Sequence, residues 1–193
     1  KVNAIRAKTN GKLIVKEYPT STAHVGHFRS LLNELKLKKD FLPDVIFIDY
    51  INICASSRVK GLGGAVNTYS LIKAIAEELR GLAGEFKVPV WSATQVTRSG
   101  FANTDVELTD TAESFGLPAT ADLMLALIST EQLEDMNQIM VKQLKNRYND
   151  LTKNKRFVIG IDRPKMRLYD VEDSAQTLTS DGVSPAPTGR DVP

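Results

Sequence analysis

The chain reads as an α/β protein built on a mostly parallel sheet, and three observations predict it. Short β-branched, apolar runs alternate with amphipathic helical segments along most of the length, the pattern of strand–helix–strand units. "DVIFIDYINI", introduced by Pro43, is a continuous apolar and aromatic run of the kind found in strands covered on both faces. Residues 68–86 carry Leu71, Ile75, Leu79, Leu82 and Phe86 at helical spacing, which marks one apolar helix face.

Taken in order, "GKLIVKEYP" alternates as a short strand. Residues 25–38 put Phe28, Leu31, Leu32 and Leu35 on one helical face. The "VIFI" strand follows, then the Gly-rich loop "VKGLGGAVN" and the 68–86 helix. Pro89 leads into a second buried strand, "VPVWSATQ", and a polar loop, "VTRSGFANTDVEL". "DTAESFGL" reads as a short helix opened by a capping box from Asp110 to Glu113. "ADLMLALIS" and "QIMVKQLKNRY" are further strands, and "KRFVIGIDRPKMRLYDVE" is a hairpin turning near "DRPK". Residues 173–193 are rich in Ser, Thr, Pro and Asp with little to bury, the composition of a flexible, disordered tail. The expected organisation is therefore one folded unit over 1–172 and a tail over 173–193.

Composition narrows the class. Of 193 residues, 42% are hydrophobic and 25% charged, as in globular proteins with a sizeable core. Lys plus Arg total 25 against 23 for Asp plus Glu, so any nucleic-acid surface has to be a local groove rather than a global field. Cys54 is the only cysteine, which excludes an intrachain disulfide and a cysteine metal cage and fits a reducing compartment. No apolar run approaches the roughly 20 residues that span a bilayer, so no membrane partner is expected. The first residues lack the apolar core of a signal peptide, and without an initiator Met the chain reads as truncated at its front.

In open α/β sheets ligands bind beyond the carboxyl ends of strands, and three strands here end in polar groups. Asp49 follows "VIFI", Gln95 follows "WSAT", and Lys145 and Arg147 follow "IMVKQL". A carboxylate at such an edge suits a magnesium ion held through water; it suits the capping of the next turn equally well. The Gln95 amide both donates and accepts, as needed to sense a γ-phosphate or orient a water, and by itself is also an ordinary strand-to-loop residue. Lys145 and Arg147, two apart on a strand, leave the same face. The planar arginine fork suits phosphate oxygens, although a solvated strand end would look the same. A phosphate-binding loop, G-x-x-x-x-G-K-[ST], is absent: Lys12 is followed by Leu13, and "GLGGAVNT" has no lysine. His24 and His27 stand three apart, a spacing that can bind metal, but no further ligand accompanies them and they are read as surface histidines. Tyr18, Trp91 and Tyr148 are read as packing residues.

Together, "DVIFIDYINI", "AIAEELRGLAGEFKVPVWSATQV", "DTAESFGLPATADLMLALI" and "IMVKQLKNRYND" resemble four consecutive motifs of the DnaB-type hexameric replicative DNA helicases. "FRSLLNELKLKKDF" and "AESFGLPATAD" resemble the branch of that family found in T-even-type phages. The resemblance runs from about Leu13 to Asp170. It implies a RecA-like ATPase core that lacks its P-loop portion, with ATP and Mg²⁺ as cofactors. It implies that Asp49 is the Walker B aspartate that holds the metal, Gln95 the γ-phosphate sensor, Arg147 the arginine finger and Lys145 its companion. In such rings the finger reaches nucleotide on the neighbouring subunit, so this chain alone is expected to be inactive as an ATP-dependent helicase. The loops after the Asp49 and Gln95 strands would line a channel for single-stranded DNA, with Arg58, Lys60, Arg98 and Glu113 as the contacts; for Glu113 the helix cap is the favoured reading. Where many relatives carry Arg and Gly around that Glu, this chain has Ala112 and Phe115. Implied partners are single-stranded DNA, identical subunits in a ring, a primase and a helicase loader, in the cytoplasm of an infected bacterial host. Two other readings remain at this point: a RecA-type recombinase core, and a P-loop-less, non-catalytic binding module.

Overall fold

The computed structural model describes residues 11–59, 67–96, 107–108, 116–152 and 154–172. Along them run α1 (Val25–Lys39), β1 (Ile46–Ile48), a 3₁₀ turn (Ile51–Ile53), α2 (Thr68–Phe86) and β2 (Val90–Ser92). Then follow α3 (Gly116–Thr120), β3 (Leu123–Ile128), α4 (Glu131–Asp135), β4 (Gln138–Asn146), β5 (Arg156–Asp162), a second 3₁₀ turn (Arg163–Lys165) and β6 (Arg167–Asp170). The tail expected over 173–193 lies outside the described residues.

Helix α2 has the bounds its apolar spacing predicts. Asn67 caps it by accepting a hydrogen bond from Tyr69 N–H, and Lys87 ends it in the left-handed region at φ 56°. Its apolar stripe, Ile72, Ile75, Ala76, Leu79 and Leu82, is buried. The first part packs on Ile51, Cys54 and Leu117, and Leu82 packs with Val25 and Leu32 of α1. Leu82 is fully buried; Leu82→Ala would cost about 2–5 kcal/mol through lost burial and the cavity left behind.

β1 and β2 pair in parallel, Ile46 opposite Val90 and Ile48 opposite Ser92, with α2 as the crossover. Both strands are shorter than their apolar runs and are only partly buried, on one face. Ile46 and Ile48 pack on the helices, whereas Phe47 is 72% exposed and its cross-strand partner Trp91 is also exposed. A continuous apolar run signals two coverable faces, and among the described residues α1 and α2 cover one. "GKLIVKEYP" forms no strand: Leu13 is 87% exposed, and no described strand pairs with it.

The remaining strands form an antiparallel sheet in the order β3-β4-β5-β6. The sequence anticipated a terminal antiparallel hairpin, and β5–β6 is that hairpin, turning at Arg163–Lys165. The antiparallel part extends further because β3 and β4 are joined only by residues 129–137. A parallel crossover needs roughly a dozen residues or more. The single turn α4 in that connection, capped by Thr130 and opened by Glu131 and Glu134, was not anticipated.

Candidate active site

Asp49 directly follows β1, and the β1–β2 register places it beside Ala93 at the carboxyl edge of the parallel pair. The edge is cross-linked. Ser92 Oγ donates to Ile48 O at 2.8 Å, Ile51 N–H to Ala93 O at 3.2 Å, and Thr94 Oγ1 to Asn52 Oδ1 at 2.9 Å. Asp49 and Gln95 thus leave one stapled edge, both exposed. No described side chain pairs with either, so the Asp49 carboxylate is open to a hard cation and its waters, the donor chemistry magnesium takes.

Lys145 lies near the end of β4, with Arg147 immediately beyond it, and both reach the same feature. Lys145 Nζ donates to Pro118 O, and Arg147 Nη2 donates to Ala119 O at 3.2 Å. Arg80 of α2 completes the set by donating from Nη1 to Thr120 O at 2.7 Å. Three successive carbonyls at the C-terminus of α3 therefore meet three cations, the charge a helix C-terminus favours. Partial burial and the neighbouring Arg147 lower the Lys145 pKa from its ordinary value. Asp122, in the turn into β3, adds a carboxylate. Its Oδ2 lies 2.8 Å from Arg80 Nη1, its Oδ1 lies 3.3 Å from Arg147 Nη1, and its carbonyl accepts from Arg147 N–H at 2.9 Å. The same-face expectation for Lys145 and Arg147 holds. No hydrogen bond or ion pair joins this cluster to Asp49 or Gln95 among the described residues.

Of the four residues expected at DNA, Lys60, Arg98 and Glu113 lie outside the described residues, as does the capping box at Asp110. Arg58 is folded back on α2. Its Nη2 lies 2.8 Å from Glu77 Oε2 and donates to Ala74 O, while Glu78 accepts from Ser56 Oγ and from Ser57 and Arg58 N–H. In this arrangement Arg58 anchors the chain that leaves β1. Cys54 is buried and its thiol pKa is raised by that burial, the state of an unreactive cysteine. His24 and His27 form a capping box on α1: His24 Nδ1 accepts from Gly26 N–H at 3.0 Å, and His27 Nδ1 from His24 N–H at 3.2 Å.

A family model, the DnaB-like helicase C terminal domain, matches residues 2–164. The chain belongs to this family. It is 48% identical over 170 residues to the DnaB-like replicative helicase of Enterobacteria phage T4, across 88% of this chain and 35% of that protein. The chain thus spans about a third of the length of that curated relative. Among solved structures, one described as an ATPase domain aligns with a TM-score of 0.64 at 18% identity, over 78% of this chain and 52% of that one. A DnaB-like replicative helicase, described with its interactions with primase, aligns with a TM-score of 0.70 at 19% identity, over 89% and 40%. The fold of this DnaB-like domain is accordingly the RecA-like ATPase fold.

Sequence reasoning did not find Arg80, Asp122 or Glu78. Arg80 and Glu78 sit at polar positions of an amphipathic helix, and Asp122 opens a strand. None breaks a pattern, and the contacts that give them meaning join residues 20 to 42 positions apart.

Proposed function

We propose that this DnaB-like domain is the C-terminal motor segment of an ATP-dependent, ring-shaped replicative DNA helicase, which moves on single-stranded DNA and unwinds duplex at a phage replication fork. The observation that supports the reading is that the chain presents two sets of groups on different elements: Asp49 and Gln95 on the edge of the parallel strand pair, and Lys145 and Arg147 on the α3 C-terminus. A nucleotide site shared between subunits would draw on two such sets of groups.

In this reading Asp49 would hold Mg²⁺, the hard cation its carboxylate suits, and a P-loop elsewhere in the full-length protein would present the phosphates. Bound there, the ion would neutralise charge on the β- and γ-phosphates. Gln95, which follows the Ser92 and Thr94 bonds on the same edge, would exchange hydrogen bonds with a γ-phosphate or the attacking water. Arg147 carries its fork to the ATP of the neighbouring subunit and stabilises charge that develops on the transferred group. Lys145 adds a point charge fixed by its bond to Pro118 O.

The loop bearing Arg58 and Lys60 and the loop bearing Arg98 and Glu113 form the single-stranded DNA path. Contact through Arg58 exchanges a carboxylate partner for a phosphate. The partners are identical ring subunits, single-stranded DNA, a primase and a loader, in the cytoplasm of an infected bacterium. The phage origin of the T4 relative and the primase interactions named for the solved neighbour support this. No described helix is long and apolar enough to cross a membrane.

The test is Arg147→Ala in the full-length helicase. ATP turnover should fall by about 10³-fold or more while nucleotide binding persists, given the usual worth of an arginine finger. Unchanged turnover would overturn the reading.

A further inference from the structure

Asp122 is tied to two arginines that lie far from it in sequence. Its Oδ2 takes a 2.8 Å hydrogen bond from Arg80, which also donates to Thr120 O of the same turn. Its Oδ1 is shielded from solvent, has no hydrogen-bond partner among the described residues, and lies 3.3 Å from Arg147 Nη1. The backbone closes the loop, since Arg147 N–H donates to Asp122 O at 2.9 Å. The carboxylate is thus gripped from the α2 side and presents its other oxygen to the guanidinium of Arg147.

We propose that Asp122 is a positioning residue for Arg147, with Arg80 as its anchor, and that it sets the angle at which the guanidinium fork meets an incoming phosphate. The inference rests on Arg147 acting as the finger. A guanidinium has five N–H groups; among the described residues Ala119 O accepts from Arg147 Nη2 and Asp122 Oδ1 faces Nη1 without accepting a hydrogen bond, so N–H groups remain for phosphate oxygens. The shorter contact belongs to Arg80 and the longer one to Arg147, so the finger is oriented rather than sequestered. Among the described residues Arg80, Lys145 and Arg147 face a single carboxylate, so these residues carry an excess of positive charge to offer an anion. All three side chains of the Arg80–Asp122–Arg147 relay are partly exposed, and exposed ion pairs contribute little to folding. Orientation is the effect such a relay can supply, because a misplaced catalytic group costs rate steeply.

The experiment uses the full-length helicase with Asp122→Asn, Asp122→Glu and Arg80→Ala. Asp122→Asn should lower kcat for ATP hydrolysis by up to about 10²-fold with KM for ATP unchanged, and Asp122→Glu should recover part of the loss. Mixing assigns the defect to the finger side. Asp122→Asn subunits mixed with P-loop-disabled subunits that keep Arg147 should regain turnover, and mixed with Arg147→Ala subunits they should not. A general folding defect would lose both roles. Arg80→Ala leaves Asp122 in place but unanchored, and should show the same selective loss of kcat even if Asp122→Asn proves insoluble. Wild-type kcat in either Asp122→Asn or Arg80→Ala, alongside an inactive Arg147→Ala, would overturn this proposal alone. Full activity of Arg147→Ala would instead overturn the reading beneath it.

Discussion

Glu78, on the second half of α2, accepts the hydroxyl proton of Ser56 across 22 residues of sequence. Its side chain is 7% exposed, and it also receives the N–H groups of Ser57 and Arg58. One carboxylate therefore fixes the path of the chain that leaves the Asp49 strand. Arg80, two residues further along the same helix, holds the turn that carries the Arg147 cluster. A single stretch of α2 braces both the chain that leaves the Asp49 strand and the turn beside Arg147.

The Glu78 bonds set a pH dependence with a definite sign. Burial by itself would raise its pKa, but the hydrogen bonds from Ser56, Ser57 and Arg58 outweigh burial and hold the carboxyl below its ordinary value. A lowered folded-state pKa contributes stability that is fully present above the unfolded value, about 4.3, and is lost as pH falls through the folded value. Denaturant unfolding of wild type and Glu78→Gln should show a gap near neutral pH that narrows in acid. Near neutrality Glu78→Ala should cost about 1–3 kcal/mol, because it strands the buried Ser56 hydroxyl. A gap that widens in acid would be the wrong sign.

The histidine pair at the start of α1 is structural. Both Nδ1 atoms accept backbone hydrogen bonds, which leaves neither free to ligate through that nitrogen in this arrangement. His24→Ala should lower stability by about 0.5–2 kcal/mol, the usual worth of an N-cap. His24→Asp or His24→Ser should restore most of it, as read from thermal melts.

Gly160 of β5 faces Tyr169 of β6 in register. A Cβ at Gly160 would run into the Tyr169 ring. Gly160→Ala must push the ring off the strand or strain the hairpin, at about 1–3 kcal/mol. Combining it with Tyr169→Ala should cost less than the sum of the two single changes, and strict additivity in a double-mutant cycle would show that the ring does not pack there.

How far the chain could be read in advance varies along it. Helix α2 was legible to the residue, because an unbroken 3.6-residue apolar stripe lies between a capping Asn67 and Lys87. β1 and β2 were legible in place but not in burial. An apolar run does not reveal which face is covered, and Phe47 and Trp91 point outward. The antiparallel β3–β4 pair follows from the length of the connection, a cue weaker than the strand pattern that surrounds it. Tyr148, read as a packing residue, is 80% exposed, whereas Tyr18 does pack, edge-on to Phe28 at 5.8 Å. In the candidate site, Asp49, Gln95, Lys145 and Arg147 stood out because each ends an apolar run. Asp122 and Arg80 did not, because only the folded chain brings them together.

The central claim is that Arg147 completes a site on another subunit, and subunit mixing tests it most directly. Full-length Arg147→Ala protein is combined at varied ratios with a P-loop-disabled protein that keeps Arg147, each inactive alone. The account predicts that ATP turnover returns and peaks at intermediate ratios, because mixed rings place an intact finger against an intact P-loop. No turnover at any ratio, in rings shown to be mixed, would contradict it.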